Sequence, residues 1–197
     1  MDAKPQSPNP SATGILIAVV GPSGVGKDSL IAAARIALAD VPSVRFARRM
    51  ITRPADEAGE NHIPVSSGDF GQLEKAGAFA VSWEAHGLKY GVPASVLDDL
   101  EAGRIVVVNG SRSALARFQA VFPRLVVVNV TARPDVLAVR LAARGRESAQ
   151  EIEARLARAV DPLPDSFETV TIDNSGALET AAGELVSLLE DLQRKMA

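Results

Sequence analysis

Gly21-Pro-Ser-Gly-Val-Gly-Lys27 is the stretch that decides the fold. It follows an apolar run with the composition of a buried strand, residues 14–20, and precedes residues 27–40, where apolar side chains recur at helical spacing. The pattern G-x-x-x-x-G-K between a strand and a helix is typical of a phosphate-binding loop, whose backbone N–H groups point inward at phosphate oxygens. The predicted nucleotide-binding residues are Gly21, Pro22, Ser23, Gly24, Val25, Gly26, Lys27, Asp28 and Ser29.

Asp28 stands where such a loop usually has a serine or threonine whose hydroxyl binds Mg²⁺. A carboxylate is also a hard oxygen ligand, so Asp28 is a candidate metal ligand. The alternative is that Asp28 only stabilises the start of the helix. The strand predicted from Arg104 to Asn109 contains no acid that would face a metal, and a carboxylate moved into the loop would compensate for that.

Strands that alternate with helices predict an α/β fold, a three-layer sandwich around a central parallel sheet. Further strands are predicted at 104–109, 124–130 and 169–173, and helices at 113–122, 134–144, 149–160 and 177–196. The segment 52–91 breaks this order, because it is polar and glycine-rich, and we expect a long irregular insertion with a functional role. We predict a disordered tail at 1–13 and one domain from 14 to 197.

Composition excludes several classes of function. The net charge is −3, which disfavours a nucleic-acid binder, and no apolar stretch is long enough to span a membrane. There is no cysteine and there are two histidines, so neither a thiol nucleophile nor a zinc centre is expected. Residues 1–13 lack a secretory signal, and we expect a cytoplasmic protein. Arginine outnumbers lysine 16 to 5, which fits either phosphate chemistry or simple codon bias.

At these residues the chain resembles the guanylate kinases. The loop is similar to theirs, and Thr52-Arg53-Pro54 and residues 83–91 resemble that family's two acceptor-binding segments. Residues 140–158 resemble its lid, in which arginines close over phosphates. Arg140 and Arg144 are four residues apart and share a helix face, and Arg155 follows on the next helix. We expect Lys27 and these three arginines to be catalytic, because cations stabilise a transferring phosphoryl group.

The predicted acceptor-binding residues are Arg49, Arg53, His62, Glu84 and Tyr90. The two arginines form a cluster with Arg48 just after a second strand, which is expected between the first helix and residue 48, and an acceptor phosphate would lie there. A charge run is more often a solvated face, but the following Pro54 and the irregular insertion favour a binding loop. The resemblance implies that Tyr90 donates to a phosphate, that Glu84 binds acceptor hydroxyl or amide groups, and that His62 replaces a phosphate-binding tyrosine. Trp83 is either a packing residue or a base-stacking platform, and packing is favoured. His86 either shapes its loop or contacts substrate.

Several determinants for GMP are missing, because Asp56, His62 and Asn109 stand at positions where guanylate kinases bind that nucleotide. The variant segments resemble a branch of the family that acts in bacterial phosphonate breakdown. The resemblance implies ATP and Mg²⁺ as cofactors and ribose 1,5-bisphosphate as the phosphorylated sugar substrate. The sequence leaves a monomer and a homodimer open, because the amphipathic helix at 177–196 can pack on its own domain, which is favoured, or on a second copy. The alternatives are a guanylate or other nucleoside monophosphate kinase, and an inactive kinase-like module that binds protein partners.

Overall fold

The computed structural model describes residues 13–54, 61–143 and 163–196. Its strands are β1 Ile15–Val20, β2 Val44–Phe46, β3 Met50–Ile51, β4 Ile63–Pro64, β5 Phe79–Ala85, β6 Leu88–Pro93, β7 Ile105–Asn109, β8 Leu125–Thr131 and β9 Glu168–Asp173. Its helices are α1 Lys27–Ala37, α2 Ser67–Lys75, α3 Val96–Glu101, α4 Leu115–Val121, α5 Pro134–Ala143 and α6 Leu178–Met196, and a 3₁₀ turn at Arg112–Ala114 precedes α4.

Five strands form a central sheet in the order β2, β7, β1, β8, β9. All four neighbouring pairs are parallel. The three inner strands are rich in valine and isoleucine, and β1 and β7 are buried throughout, as expected for strands covered on both faces. The predicted central parallel sheet is therefore confirmed, with strand bounds within about one residue of those expected.

Side-chain alternation along β1 divides the interior into two cores. Ile15, Ile17 and Val19 belong to one core, which includes residues of α1, α5 and α6. Leu16, Ala18 and Val20 belong to the other core, which includes residues of α3 and α4. The sheet is thus the middle layer between two helical layers, and the predicted three-layer sandwich is confirmed.

The segment 52–91 differs from the expectation of an irregular insertion. A second sheet, in the order β4, β3, β6, β5, occupies most of it, together with α2. Two of its strands are only two residues long, and they pair with residues distant in the sequence. Such short strands carry no periodic pattern of apolar residues, which is why the sequence did not reveal them.

The predicted helix at 149–160 and nearly all of the predicted tail at 1–13 lie outside the described residues. Within the ranges that are described, no helix is both long and apolar enough to cross a membrane.

Gly14, directly before β1, lies against the backbone of neighbouring residues, and a substitution there tests how tightly the central sheet is packed. Its N–H donates to the Leu100 carbonyl, and a Cβ on Gly14 would lie 2.6 Å from that same oxygen. Because backbone cannot rotate away as a side chain can, we expect Gly14→Ala to lower the free energy of unfolding by about 1–3 kcal/mol in urea titrations. Gly176→Ala is the control, since no atom lies within 4 Å of its added Cβ, and it should change stability by less than about 0.5 kcal/mol. Equal stabilities of the two variants would contradict this packing.

Candidate active site

The phosphate-binding loop lies between the carboxyl end of β1 and the start of α1, at the centre of the sheet. Three of its glycines have positive φ angles, 149° at Gly21, 85° at Gly24 and 96° at Gly26. Residues with a Cβ rarely adopt this backbone conformation. Space is also limiting at Gly26, where a Cβ would lie 2.5 Å from Asn174 Nδ2. Glycine at this position is therefore required by both the backbone and its neighbour.

The carbonyl oxygen of Val25 fastens the loop to the surrounding structure. It accepts a hydrogen bond from Asn174 Nδ2 at 2.8 Å and a second one from Arg140 Nη1 at 3.3 Å. Asn174 is only 2% exposed, so its bond is shielded from water. The Val25 side chain is itself fully buried in the core that contains Leu30. Apolar packing and polar contacts thus fix the same residue from different sides.

Asn174 is a site residue that the sequence analysis missed. It directly follows β9, and its backbone N–H donates to the Thr131 carbonyl at the end of β8. The carboxyl ends of parallel strands meet at one edge of a sheet, where ligand sites of α/β proteins lie. The predicted strand 169–173 ends immediately before Asn174, so this rule, applied to the last strand, would have identified it.

Lys27 begins α1, and its side chain folds back over the loop. Lys27 Nζ donates to the carbonyl of Gly21 at 2.8 Å and to that of Pro22 at 3.1 Å. The ammonium group therefore lies within the curl of backbone that is predicted to hold phosphates. Ser29, by contrast, is exposed on α1.

Only one of the three arginines predicted to act in the lid lies among the described residues. Arg140 lies on α5 and contacts the loop through the Val25 carbonyl. Arg144 and Arg155, the other two arginines predicted to be catalytic, lie outside the described residues.

Asp28 and Asn109 are joined by a hydrogen bond, in which Asn109 Nδ2 donates to Asp28 Oδ1 at 2.6 Å. Because a carboxylate can only accept, this bond also fixes which side of the amide faces Asp28. Asn109 Oδ1 points elsewhere, is buried, and has no hydrogen-bond partner among the described residues. The Asp28 carboxylate therefore lies beside the carboxyl end of β7, the strand that contains no acid. This is the arrangement expected if Asp28 replaces an acid of that strand as the metal ligand.

A metal at this position would have few protein ligands. In the described part of the chain, no three His, Cys, Asp or Glu side chains are grouped so that they could hold a metal ion. Mg²⁺ commonly uses one or two carboxylates and completes its shell with phosphate oxygens and water. The single carboxylate of Asp28, oriented by Asn109 Nδ2, fits Mg²⁺ that binds together with a nucleotide, and does not fit a metal held by protein alone.

A cavity of about 210 Å³ joins the loop to the second sheet. Its lining residues are Gly21, Ser23, Gly24, Gly26, Lys27, Asp28, Arg49, Arg53, Trp83, Ala85, His86, Tyr90, Asn109, Gly110 and Ser111. The structure thus brings three predicted acceptor residues, Arg49, Arg53 and Tyr90, to the same cavity as most of the loop. Pro22 and Val25 belong to the loop but do not line the cavity.

Arg49 is a buried cation in this cavity, with 6% of its surface exposed. Its guanidinium carbon lies 5.5 Å from the centre of the Trp83 ring and 5.1 Å from that of the Tyr90 ring. These two rings stack with their centroids 5.3 Å apart and an interplanar angle of 8°. Trp83 also contacts Phe118, a fully buried residue of α4. This environment agrees with the interpretation of Trp83 as a packing residue.

His62 does not line the cavity, although it was predicted to contact substrate. It is 5% exposed, and its Nε2 lies 3.1 Å from the carbonyl oxygen of Arg53. Its own carbonyl accepts a hydrogen bond from Arg48 Nη2 at 3.1 Å. The structure therefore places His62 behind Arg53, where it holds the backbone that carries this arginine.

Glu84 is also not brought into the cavity. In the β5–β6 hairpin, Trp83 pairs with Tyr90 and Glu84 pairs with Lys89. Successive side chains of a strand point to opposite faces, and Trp83 and Tyr90 face the cavity. Glu84 therefore lies on the other face, where it is exposed. A shift of one residue in register exchanges the two faces of a strand, and in this register Trp83, not Glu84, faces the cavity.

His86 occupies the turn of the same hairpin and lines the cavity. Its φ angle is 53° and that of Gly87 is 71°, so both residues of this two-residue turn are left-handed. Turns of this kind match the twist of the flanking strands. His86 therefore shapes its loop and also reaches the site, the two roles between which the sequence did not decide.

Comparison with known proteins gives the family. A curated protein of Agrobacterium fabrum (strain C58), named ribose 1,5-bisphosphate phosphokinase PhnN, is 54% identical over 175 residues, which cover 89% of this chain and 96% of the relative. A protein of the same name from Rhizobium etli (strain CIAT 652) is 50% identical over 188 residues, 94% of this chain and 95% of the relative. This chain belongs to the ribose 1,5-bisphosphate phosphokinase family.

The family membership confirms the resemblance that was based on the loop and the variant acceptor segments. No family model matches the chain. Among solved structures, the guanylate kinase of Anaplasma phagocytophilum is similar with a TM-score of 0.68 and 16% identity, covering 92% of this chain and 87% of that one. At this identity the likeness shows the fold alone, and it agrees with the three-layer sandwich described above.

Asn174 provides a test of how the loop is fastened. Asn174→Ala removes the shorter of the two hydrogen bonds to the buried Val25 carbonyl. We expect the free energy of unfolding, measured by chemical denaturation, to fall by about 1–3 kcal/mol. Asn61→Ala, which truncates an exposed asparagine, should change it by less than about 0.5 kcal/mol. If the Asn174 variant is as stable as the Asn61 variant, the hydrogen bond does not hold the loop.

Proposed function

We propose that this protein transfers the γ-phosphoryl group of ATP to the 1-phosphate of ribose 1,5-bisphosphate. The products are 5-phosphoribosyl 1-diphosphate and ADP. The observation that carries the proposal is the single cavity that unites the phosphate-binding loop with Arg49 and Arg53, in a chain of this family. Both substrates are charged metabolites of the cytoplasm, so the proposal includes a cytoplasmic enzyme, active as a monomer or homodimer and formed by one domain from 14 to 197.

On the donor side, the backbone N–H groups of the loop bind the ATP phosphates, and the start of α1 adds its positive dipole end. Lys27 Nζ, which now donates to two loop carbonyls, turns to the β- and γ-phosphate oxygens when the nucleotide is bound. Arg140 lies beside the loop and contributes a second cation. By the resemblance to guanylate kinases, Arg144 and Arg155 complete this set.

Asp28 is the carboxylate that would hold Mg²⁺ in this scheme, with phosphate oxygens and water as the other ligands. When bound, Mg²⁺ neutralises charge on the β- and γ-phosphates. Asn109 donates to one Asp28 oxygen and thereby orients the carboxylate, leaving the second oxygen for the metal.

On the acceptor side, Arg53 and Tyr90 bind the reacting phosphate, and Arg49 adds further positive charge. A phosphate oxygen of the acceptor forms a bond to the γ-phosphorus, while the bond from the γ-phosphorus to the bridging oxygen of ADP breaks. The nucleophile is already an anion, so the step needs no strong general base. Catalysis then consists of positioning and of charge stabilisation at the transferring group. His62 acts through Arg53 by holding its carbonyl, and it is a positioning residue.

A comparison of two acceptors tests the proposed function. The purified protein is incubated with γ-labelled ATP, Mg²⁺ and either ribose 1,5-bisphosphate or GMP, and the products are separated by chromatography. We expect label in 5-phosphoribosyl 1-diphosphate, with kcat/KM for GMP lower by at least about 100-fold, because Asp56, His62 and Asn109 replace residues that bind GMP in guanylate kinases. Lys27→Ala should lower kcat by about 100-fold or more, and Lys75→Ala, at an exposed lysine of α2, should not change it. Comparable transfer to GMP, or a nearly normal Lys27→Ala enzyme, would refute the proposal.

Asp28 is tested by restoring the hydroxyl that is usual at its position. We expect Asp28→Ser to raise the Mg²⁺ concentration for half-maximal activity by about 10-fold, because a neutral hydroxyl binds a divalent cation more weakly than a carboxylate does. The control is Asp40→Ser, at an exposed acid beyond the end of α1, which should leave the Mg²⁺ titration unchanged. An unaltered Mg²⁺ dependence in the Asp28 variant would leave Asp28 with a role only at the start of the helix.

A further inference from the structure

The acceptor in the proposed function carries two phosphates, of which only one reacts. A site that selects it needs one cation for the reacting phosphate and another for the phosphate at the far end of the sugar. Two arginines that flank β3 of the second sheet, Arg49 and Arg53, line the cavity. Arg49 lies outside the Thr52-Arg53-Pro54 segment through which the chain resembles guanylate kinases.

The two arginines lie on either side of the short strand β3 of the second sheet. Arg49 and Ile51 accept backbone hydrogen bonds from Ile63 and Val65, and the Thr52 N–H donates to the Lys89 carbonyl. Arg49 directly precedes the two-residue strand β3, and Arg53 lies in the bend that follows it. Ala47, two residues before Arg49, donates to the Val107 carbonyl of the central sheet, whereas Thr52, next to Arg53, donates to Lys89 near the β5–β6 turn. The geometry therefore presents two separate cations to one cavity.

Arg49 is the more buried of the two arginines. Its guanidinium lies over the stacked rings of Trp83 and Tyr90, and Trp83 in turn packs on Phe118 in the core. The two rings attract the guanidinium and shield it from water, and its planar fork of N–H donors can bind a phosphate in bidentate fashion. A buried cation held beside two rings suits a phosphate that keeps its position and charge throughout the reaction.

We infer that Arg49 binds the non-reacting 5-phosphate of the acceptor and is the residue by which the enzyme selects a bisphosphate. Arg53 binds the reacting 1-phosphate. Binding energy from the 5-phosphate is then used to hold the 1-phosphate in line with the γ-phosphoryl group, which is how remote parts of a substrate contribute to catalysis. This inference rests on the proposed function and adds a specificity-determining role within it.

A second cavity offers a competing place for the 5-phosphate. It shares Asp28 and Asn109 with the first cavity and carries Arg35 and Arg48. Both of these arginines are exposed, and Arg48 donates to the His62 carbonyl. Exposed cations are screened by water and bind a phosphate more weakly than a buried one does. The buried Arg49 is therefore the stronger candidate, and Arg48 is included in the test.

The test compares ribose 1,5-bisphosphate with ribose 1-phosphate, which lacks only the 5-phosphate. The quantity measured is the ratio of kcat/KM for the two acceptors, which does not depend on how much of a variant is correctly folded. We expect Arg49→Met to lower this ratio by about 10- to 100-fold, the usual value of a charged hydrogen bond, and Arg49→Lys to lie between it and the wild type. Arg53→Met should slow both acceptors together and leave the ratio unchanged. Arg45→Met, at an exposed residue of β2, is the control with no change expected.

A binding measurement covers the case in which ribose 1-phosphate reacts too slowly to follow. Ribose 5-phosphate carries only the phosphate assigned to Arg49, so its inhibition constant against ribose 1,5-bisphosphate should rise about 10-fold or more in Arg49→Met. It should stay unchanged in Arg53→Met.

The outcomes separate this inference from the proposed function. If the wild type transfers no phosphoryl group to ribose 1,5-bisphosphate, the proposed function fails and the inference fails with it. If that transfer occurs but Arg49→Met changes neither the acceptor ratio nor the inhibition constant, only the assignment of Arg49 fails. A lowered ratio in Arg48→Met, with Arg49→Met unchanged, would place the 5-phosphate in the second cavity and also overturn the assignment.

Discussion

The backbone conformation of residues 21–27 is the constraint on which the rest of the structure depends. Three left-handed glycines curl the chain, and this curl is compatible with a folded core only because the Val25 side chain is buried and its carbonyl is bonded from outside. The bonds come from Asn174, after the last strand, and from Arg140, on α5. Residues more than a hundred positions away thus hold the loop in shape. The loop is already ordered in the folded protein. The loss of conformational entropy on ordering it therefore occurs during folding and does not weaken ligand binding.

Local charge, and not the overall charge of the chain, determines what this cavity can bind. The chain as a whole is acidic, with a net charge of −3. The cavity nevertheless has Lys27, Arg49 and Arg53 on its walls, and Asp28 is the one acidic side chain among the described residues that line it. Cations that surround a cavity reinforce one another because the walls exclude water, which favours a polyanion over a neutral sugar or a free base. The low aromatic content of the chain fits the same ligand class. The two aromatic rings in the cavity, Trp83 and Tyr90, stack on each other, and the Arg49 guanidinium lies close to both.

The central sheet could be predicted from the sequence because its strands are continuous apolar runs, and the loop could be predicted because seven consecutive residues carry the whole pattern. The second sheet could not be predicted, since β3 and β4 are two residues long and exist through pairing with distant segments. The same limit explains why the sequence did not show which of the predicted acceptor residues line the cavity. Whether Glu84 or Trp83 faces the cavity depends on hairpin register, and whether His62 faces substrate or the Arg53 backbone depends on the direction of a two-residue strand. Asn174 carries no motif, and only its position at a strand end marks it.

An apolar core joins the second sheet to the central sheet. This packing fixes the distance between the phosphate-binding loop and the side of the cavity that is proposed to bind the acceptor. Val81, Trp83 and Val92 of the second sheet lie in the same apolar cluster as Leu16 and Val20 of β1. The second sheet therefore packs on the same core that supports the loop, and it is not attached only by its connecting chain. Since an in-line transfer loses rate steeply when reacting atoms are displaced by about 1 Å, this packing would hold the two sides of the cavity at a constant distance during the proposed transfer. Phe118 is the clearest case, because it is fully buried and packs against the Trp83 ring on which the Arg49 guanidinium rests.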